Sequence, residues 1–136
     1  DYILISMKIL YILISLFILT SCSSQKAFVQ LDGNWSIVEA MGKSTATGEK
    51  QPFITFESGK VHGNASVNLF HGSYTLKGSH LTFSHMGMTM MMGRSMDVEA
   101  AITQAFEKTT RIACSKDQLY LLDAQKDTVM TLVKKP

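Results

Sequence analysis

The strongest constraint on the fold is a rhythm of short apolar runs, each closed after a few residues by a turn signal. "FITF" (Phe53 to Phe56) and "KVHGNAS" flank "ESG", "GSYTL" and "HLTFS" flank Lys77, Gly78 and Ser79, and "RIACS" and "QLYLLD" flank Lys116 and Asp117. "AQKD" then leads into "TVMTLVKK". Runs of this length bounded by Gly, Ser, Asn and Asp predict consecutive antiparallel hairpins. The side-chain period of a strand is two, so Ile54 and Phe56, Leu81 and Phe83, and Leu119 and Leu121 are expected on inward faces.

One segment breaks the rhythm. Val98, Ala101, Ile102, Ala105 and Phe106 recur at helical spacing, with Asp97, Glu99, Gln104 and Glu107 elsewhere on the wheel. This predicts one amphipathic helix over about 95–108, with Ser95 or Asp97 as its N-cap and acids early in its first turn. A sheet with one apolar face and a single helix must curl on itself or lie under that helix. The expectation is an α+β domain, a mostly antiparallel sheet curled into a cracked β-barrel with one helix.

The N-terminus carries an address. Met7 and Lys8 precede an apolar run from Ile9 to Leu19, which has the length of a signal-peptide core and falls short of a membrane span. The run meets "LTSC", Leu19 to Cys22, which resembles a bacterial lipobox whose cysteine thiol is acylated before cleavage on its N-terminal side. The expected organisation is a signal peptide over 1–21, with 1–6 read as upstream read-through, then lipidated Cys22 and a polar tether over 22–30, then a domain over 31–136. Several acyl chains on Cys22 would anchor the domain stably, where one chain gives only marginal binding. The implied location is the bacterial cell envelope, anchored by Cys22 in the outer membrane and facing the periplasm.

Loss of 1–21 removes Lys8 and Asp1 from the 13 basic and 11 acidic side chains, leaving the formal charge at +2. So balanced a domain argues against nucleic acid as a partner. With Cys22 acylated, Cys114 has no intramolecular partner, and its alternation with Ile112 places it on the apolar side of a strand.

In order along the chain, "LDGNWSIVEA", "FITFESGKVHGNASVNLFHGSYTLKGSHLTFS", "MTMMMG", "AFEK" and "QLYLLDAQKDTVMTLVK" resemble the META domain, a family of HslJ-like bacterial lipoproteins. Gly33-Asn34-Trp35 is one specific piece. Gly63 to Tyr74 is similar to the family's G-N-x-x-C-N-x-F-x-G-x-Y, and Thr89 with Met91 to its T-x-M-x-C. Where the family commonly has two cysteines, this chain has Val67 and Gly93, a paired loss that fits neighbours dispensed with together. No disulfide or thiol role carries over. The resemblance implies a small, often lipid-anchored envelope domain, loosely linked to stress response, with no established activity. It also implies a cracked barrel similar to that of a lipoprotein pilotin that holds acyl chains in its interior.

Six of the nine methionines fall between His85 and Met96. Met86, Met88 and Met90 alternate, so a strand over 85–92 would put them on one face, opposite a core Met91. Such thioethers can pack, line an adaptable apolar pocket, or bind soft Cu(I). Trp35, Phe70, Tyr74, Met88 and Met90 form the expected ligand surface, for an apolar small ligand or an outer-membrane protein partner. The alternative is a copper set of His85, Met86, Met88 and Met90. His62 and His71 lack zinc-motif spacing and are read as solvent-side residues. Asn64 and Asn68 are read as turn architecture. No nucleophile elbow, phosphate loop or acid/base pair is present, and Ser66 lacks a G-x-S-x-G context, so no catalytic residue, enzyme activity or cofactor is expected.

Overall fold

The computed structural model describes Tyr2 and residues 31–136; the expected signal peptide, apart from Tyr2, and the expected lipidation site and tether over 22–30 lie outside these residues. Among the described residues nine strands form one antiparallel sheet: β1 (Gly33–Ala40), β2 (Lys43–Ser44), β3 (Phe53–Glu57), β4 (Lys60–Asn64), β5 (Leu69–Lys77), β6 (His80–Met88), β7 (Arg111–Ser115), β8 (Gln118–Leu122) and β9 (Thr128–Lys134). An α-helix, α1 (Met96–Lys108), joins β6 to β7. The sheet order is β2-β1-β3-β4-β5-β6-β7-β8-β9, and β1 also pairs with β9, which curls the sheet into a ring.

The turns close as their residues require. Ser58 and Gly59 both have positive φ (47° and 82°), the primed hairpin geometry that matches strand twist. Asp123 closes the β8–β9 turn by accepting from the backbone N–H groups of Gln125 and Asp127. The inward positions follow: Ile54, Phe56, Leu81, Leu119 and Leu121 are all at most 1% exposed, and Phe83 is half-buried. Each such side chain contributes roughly 1.5–3 kcal/mol when fully buried.

The helix presents its expected stripe, with Val98, Ala101, Ile102, Ala105 and Phe106 buried, and packs against β1, β2, β6 and β9. Phe106 stacks at 5.0 Å from Phe70 and 4.9 Å from Phe83, centroid to centroid. Thr109 ends the helix, its Oγ1 donating to Ala105 O at 2.7 Å. Ser95 occupies the N-cap position, but its hydroxyl makes no capping bond because it is engaged elsewhere.

The ring is unevenly closed. β5 and β6 share a long ladder, interrupted by a bulge between His71 and Ser73. β6 and β7 share a single register pair, His80 with Arg111, supported by Leu81 N–H to Thr110 O and Ile112 N–H to Ser79 O. Among the described residues no backbone hydrogen bond continues from β6 past Leu81 toward β7 or α1. This seam is the crack in the barrel.

Cys114 departs from expectation: it is exposed. It alternates with buried Ile112 and pairs across the hairpin with buried Leu119, so the apolar face continues beside it while its own side chain is left largely uncovered. Partial burial still pushes its thiol pKa up, away from a reactive thiolate.

Candidate functional site

Two places gather the residues singled out by the sequence. The first is a buried polar junction. Asn68, 1% exposed, sits just before β5 and uses its whole amide. Its Oδ1 accepts from Thr89 Oγ1 at 2.8 Å and Met91 N–H at 2.7 Å, while its Nδ2 donates to Met91 O and to both carboxyl oxygens of Glu99. The Asn68 backbone N–H also donates to Glu99 Oε2 at 3.1 Å. Beside it, Asn64 Oδ1 accepts from Ser66 N–H, Ser66 and Ser95 hydroxyls meet at 2.8 Å, and Ser95 Oγ accepts from Glu49 N–H. Buried polar groups cost stability unless bonded, and here they are bonded to one another.

Glu99 is the residue the periodicity misplaced. The wheel put it among the polar positions, yet it is 6% exposed, because it turns inward to receive Asn68. Asn68, within the Gly63–Tyr74 motif, joins Thr89 of the second motif to Glu99 of the helix, a contact to which the wheel has no access. The same junction juxtaposes Val67 and Gly93: a Cβ on Gly93 would lie 2.8–2.9 Å from the Val67 methyls.

The second place is the seam. An apolar cleft of about 220 Å³ opens between β6 and α1, lined by Phe70, Phe83, Met86, Gly87, Met88, Thr103, Phe106 and Glu107. Of the expected ligand surface, it brings together Phe70 and Met88. Trp35 is instead a core residue, 2% exposed, its indole N–H donating to Leu31 O at 2.9 Å. Tyr74 packs edge-on against Phe56 and hydrogen-bonds Asp32, and burial holds its phenol above its ordinary pKa.

Met90 is 92% exposed and Met91 58% exposed, because β6 ends at Met88 and no strand continues beneath them. Met91 is fixed through its backbone, by Asn68, and not through its side chain. The copper set is likewise not assembled: Met86 and Met88 line the seam cleft, whereas His85 lines a separate hollow with His62 and His71. The cause is local. His85 has φ 53° at the β6 bulge, and the extra residue turns Met86 rather than His85 to the inner side. Gly72 permits the bulge, since a Cβ there would strike Met86 Sδ.

The META domain profile matches residues 28–136. Solved structures share the fold. An NMR structure of a protein from Burkholderia xenovorans has a TM-score of 0.64 at 23% identity, over 86% of this chain and 92% of that one. A crystal structure of a DUF4847 family protein from Bacteroides vulgatus has 0.59 at 13% identity, over 81% and 97% respectively. No curated protein matches the chain significantly.

Proposed function

The chain belongs to the META domain family, and from that premise we propose that it is a non-enzymatic accessory module of the bacterial envelope, tethered by acyl chains on Cys22, whose seam cleft receives an apolar side chain of an extended partner segment. The carrying observation is the conjunction, at one seam, of an apolar cleft and a β6 edge that loses its neighbour after Leu81. Size selects between occupants. At about 220 Å³ the cleft is smaller than the roughly 300–1,000 Å³ of ordinary small-molecule sites. One fully buried apolar side chain contributes about 1.5–3 kcal/mol. That is weaker than the roughly 4 kcal/mol of a millimolar complex. A useful partner must therefore add contacts, and an extended segment does so by hydrogen bonding to the free edge.

The interior offers no rival. Ile37, Ile54, Phe56, Leu81, Ile102, Leu119, Leu121, Met130 and Leu132 occupy it, each at most 1% exposed. An outer-membrane protein that passes through an extended state suits both the edge and the expected address.

Methyl NMR of the full chain in detergent tests the cleft, with n-octanol and a short Val/Thr/Leu peptide as probes. The expected result is movement of the Met86 and Met88 methyls with Met130 unmoved, and saturation by peptide at about tenfold lower concentration than by octanol. Tighter octanol binding would favour an acyl chain over a protein segment, and no movement with either would overturn the cleft. Cys22→Ala tests the tether separately: it should release the protein from the membrane fraction.

A further inference from the structure

We infer that the outer face of β4, β5 and β6 binds one imidazole-preferring divalent cation, of the Cu²⁺ or Zn²⁺ class, through His62, His71 and His85. Three observations converge on it. His62 and His71 are direct cross-strand partners on β4 and β5, so their Cβ atoms stand about 4.5–5.5 Å apart. His85 belongs to β6, the next strand over, and the bulge there carries it to the same side as His71. All three line one hollow of about 390 Å³, together with Glu57, Lys60, Val61, Gly72 and Ser73.

The bulge is what makes a trio from a pair. With unbroken alternation from Phe83, position 85 would face inward and the outer surface would hold only His62 and His71. The extra residue instead places His62 and His85 on strands flanking His71, at a strand spacing of about 4.8 Å. The His71 ring already leans across β6, its Cε1 and Nε2 lying 2.8 and 2.9 Å from where a Gly87 Cβ would be, a position open only because residue 87 has no side chain.

Neutral imidazoles are good ligands for Zn²⁺ and Cu²⁺, with metal–nitrogen distances near 2.0–2.1 Å. No hydrogen bond commits any of the three rings among the described residues, and all three residues are exposed. As they stand the rings do not converge on a point. Binding therefore proceeds by rotation of the exposed side chains between staggered positions, which surface residues do readily. Glu57 offers the cation a counter-charge. Lys60 opposes it, with its ammonium held 3.1 Å from Ser73 Oγ, so the site should bind more weakly than the same trio without that cation.

The test is titration of the full chain in detergent with Cu²⁺ in a non-coordinating buffer, followed by electron paramagnetic resonance and by Zn²⁺ competition. One saturable equivalent with nitrogen hyperfine structure is expected, weakened about tenfold or more in each of His62→Asn, His71→Asn and His85→Asn. His80→Asn, at the far end of β6, and Met88→Leu should leave it unchanged. Because the three positions are exposed, the metal-free variants should keep the wild-type melting temperature, which separates ligand loss from unfolding. A site indifferent to all three substitutions, no saturable site, or a site abolished by Met88→Leu would each overturn the assignment. Only the last of these outcomes would bear on the seam cleft, which Met88 lines on the other side of β6.

Discussion

The far end of the β5–β6 ladder and the outer edge of β6 lie within a few residues of each other and are held by opposite means. At the ladder's end, Asn68, Thr89, Met91 and Glu99 form a connected set of buried and part-buried hydrogen bonds that ties two connections and the helix together. Along the outer edge, hydrogen bonds stop at Leu81, and aromatic and thioether side chains are left to cover the gap. The difference teaches where the family's motif residues act. Asn68 and Thr89 secure the frame, while the opening they frame takes Phe70 from the motif and is otherwise lined by residues outside its most specific positions, among them Phe83, Met86, Met88 and Phe106. Fixed polar geometry specifies one arrangement, and soft apolar lining tolerates several.

The largest break in this contrast should come from Asn68→Ala. It takes the side-chain donors from the Glu99 carboxyl, leaving only the residue-68 backbone N–H on it, and removes the partner of the Met91 N–H and C=O and the acceptor of the Thr89 hydroxyl, at an expected cost of about 3–5 kcal/mol. Urea denaturation with an unchanged m-value would check it. A loss under about 1 kcal/mol would mean that the junction is not the frame.

Strengthening the junction should be nearly as visible. Val67→Cys with Gly93→Cys replaces a close approach with a disulfide, and Gly93 is not in the left-handed region, so a side chain there is conformationally acceptable. Oxidation should raise stability by about 2–3 kcal/mol, read as the difference in melting between oxidised and reduced protein.

On the open side, Gly72→Ala should cost about 1–3 kcal/mol by overpacking against Met86. It should also shift the Met86 methyl resonance while leaving Met91 N–H in place, which would separate the two regions spectroscopically.

The smallest effect belongs to the surface. Asp97 has its pKa held below the usual range, first by the hydrogen bond from Lys43 at 3.1 Å and then by the Val98 backbone N–H. The depressed folded value means that its stabilisation is present above the ordinary Asp pKa and is lost as pH falls through the folded one. NMR titration of Asp97 should show this, and Lys43→Met should move the pKa back up. Both side chains are largely exposed, so the melting temperature should hardly respond.

Much of the fold was legible because hairpins and one helix announce themselves by period. Ile54, Phe56, Leu81, Leu119 and Leu121 lie inward as alternation requires, and the helix stripe is the one read from the sequence. What was not legible depends on departures from period. The β6 bulge reverses the sides expected for His85 and Met86, and no local signal distinguishes a bulged residue from the next one in alternation. The end of β6 at Met88 leaves Met90 and Met91 exposed where a longer strand would have put Met91 in the core. Glu99 is buried by a partner more than 30 residues away, and a helical wheel has no access to that kind of contact.

The most direct test of the contrast is native-state hydrogen exchange resolved at single amides. Leu81 N–H points outward to Thr110 O, and alternation turns Phe83 N–H the same way with no strand to receive it. The account predicts that Asn68 and Met91 N–H groups exchange only with global unfolding, while Phe83 N–H exchanges at least about a hundredfold faster through local opening. Equal protection at Phe83 and Asn68 would contradict it, because the seam would then be closed as firmly as the frame.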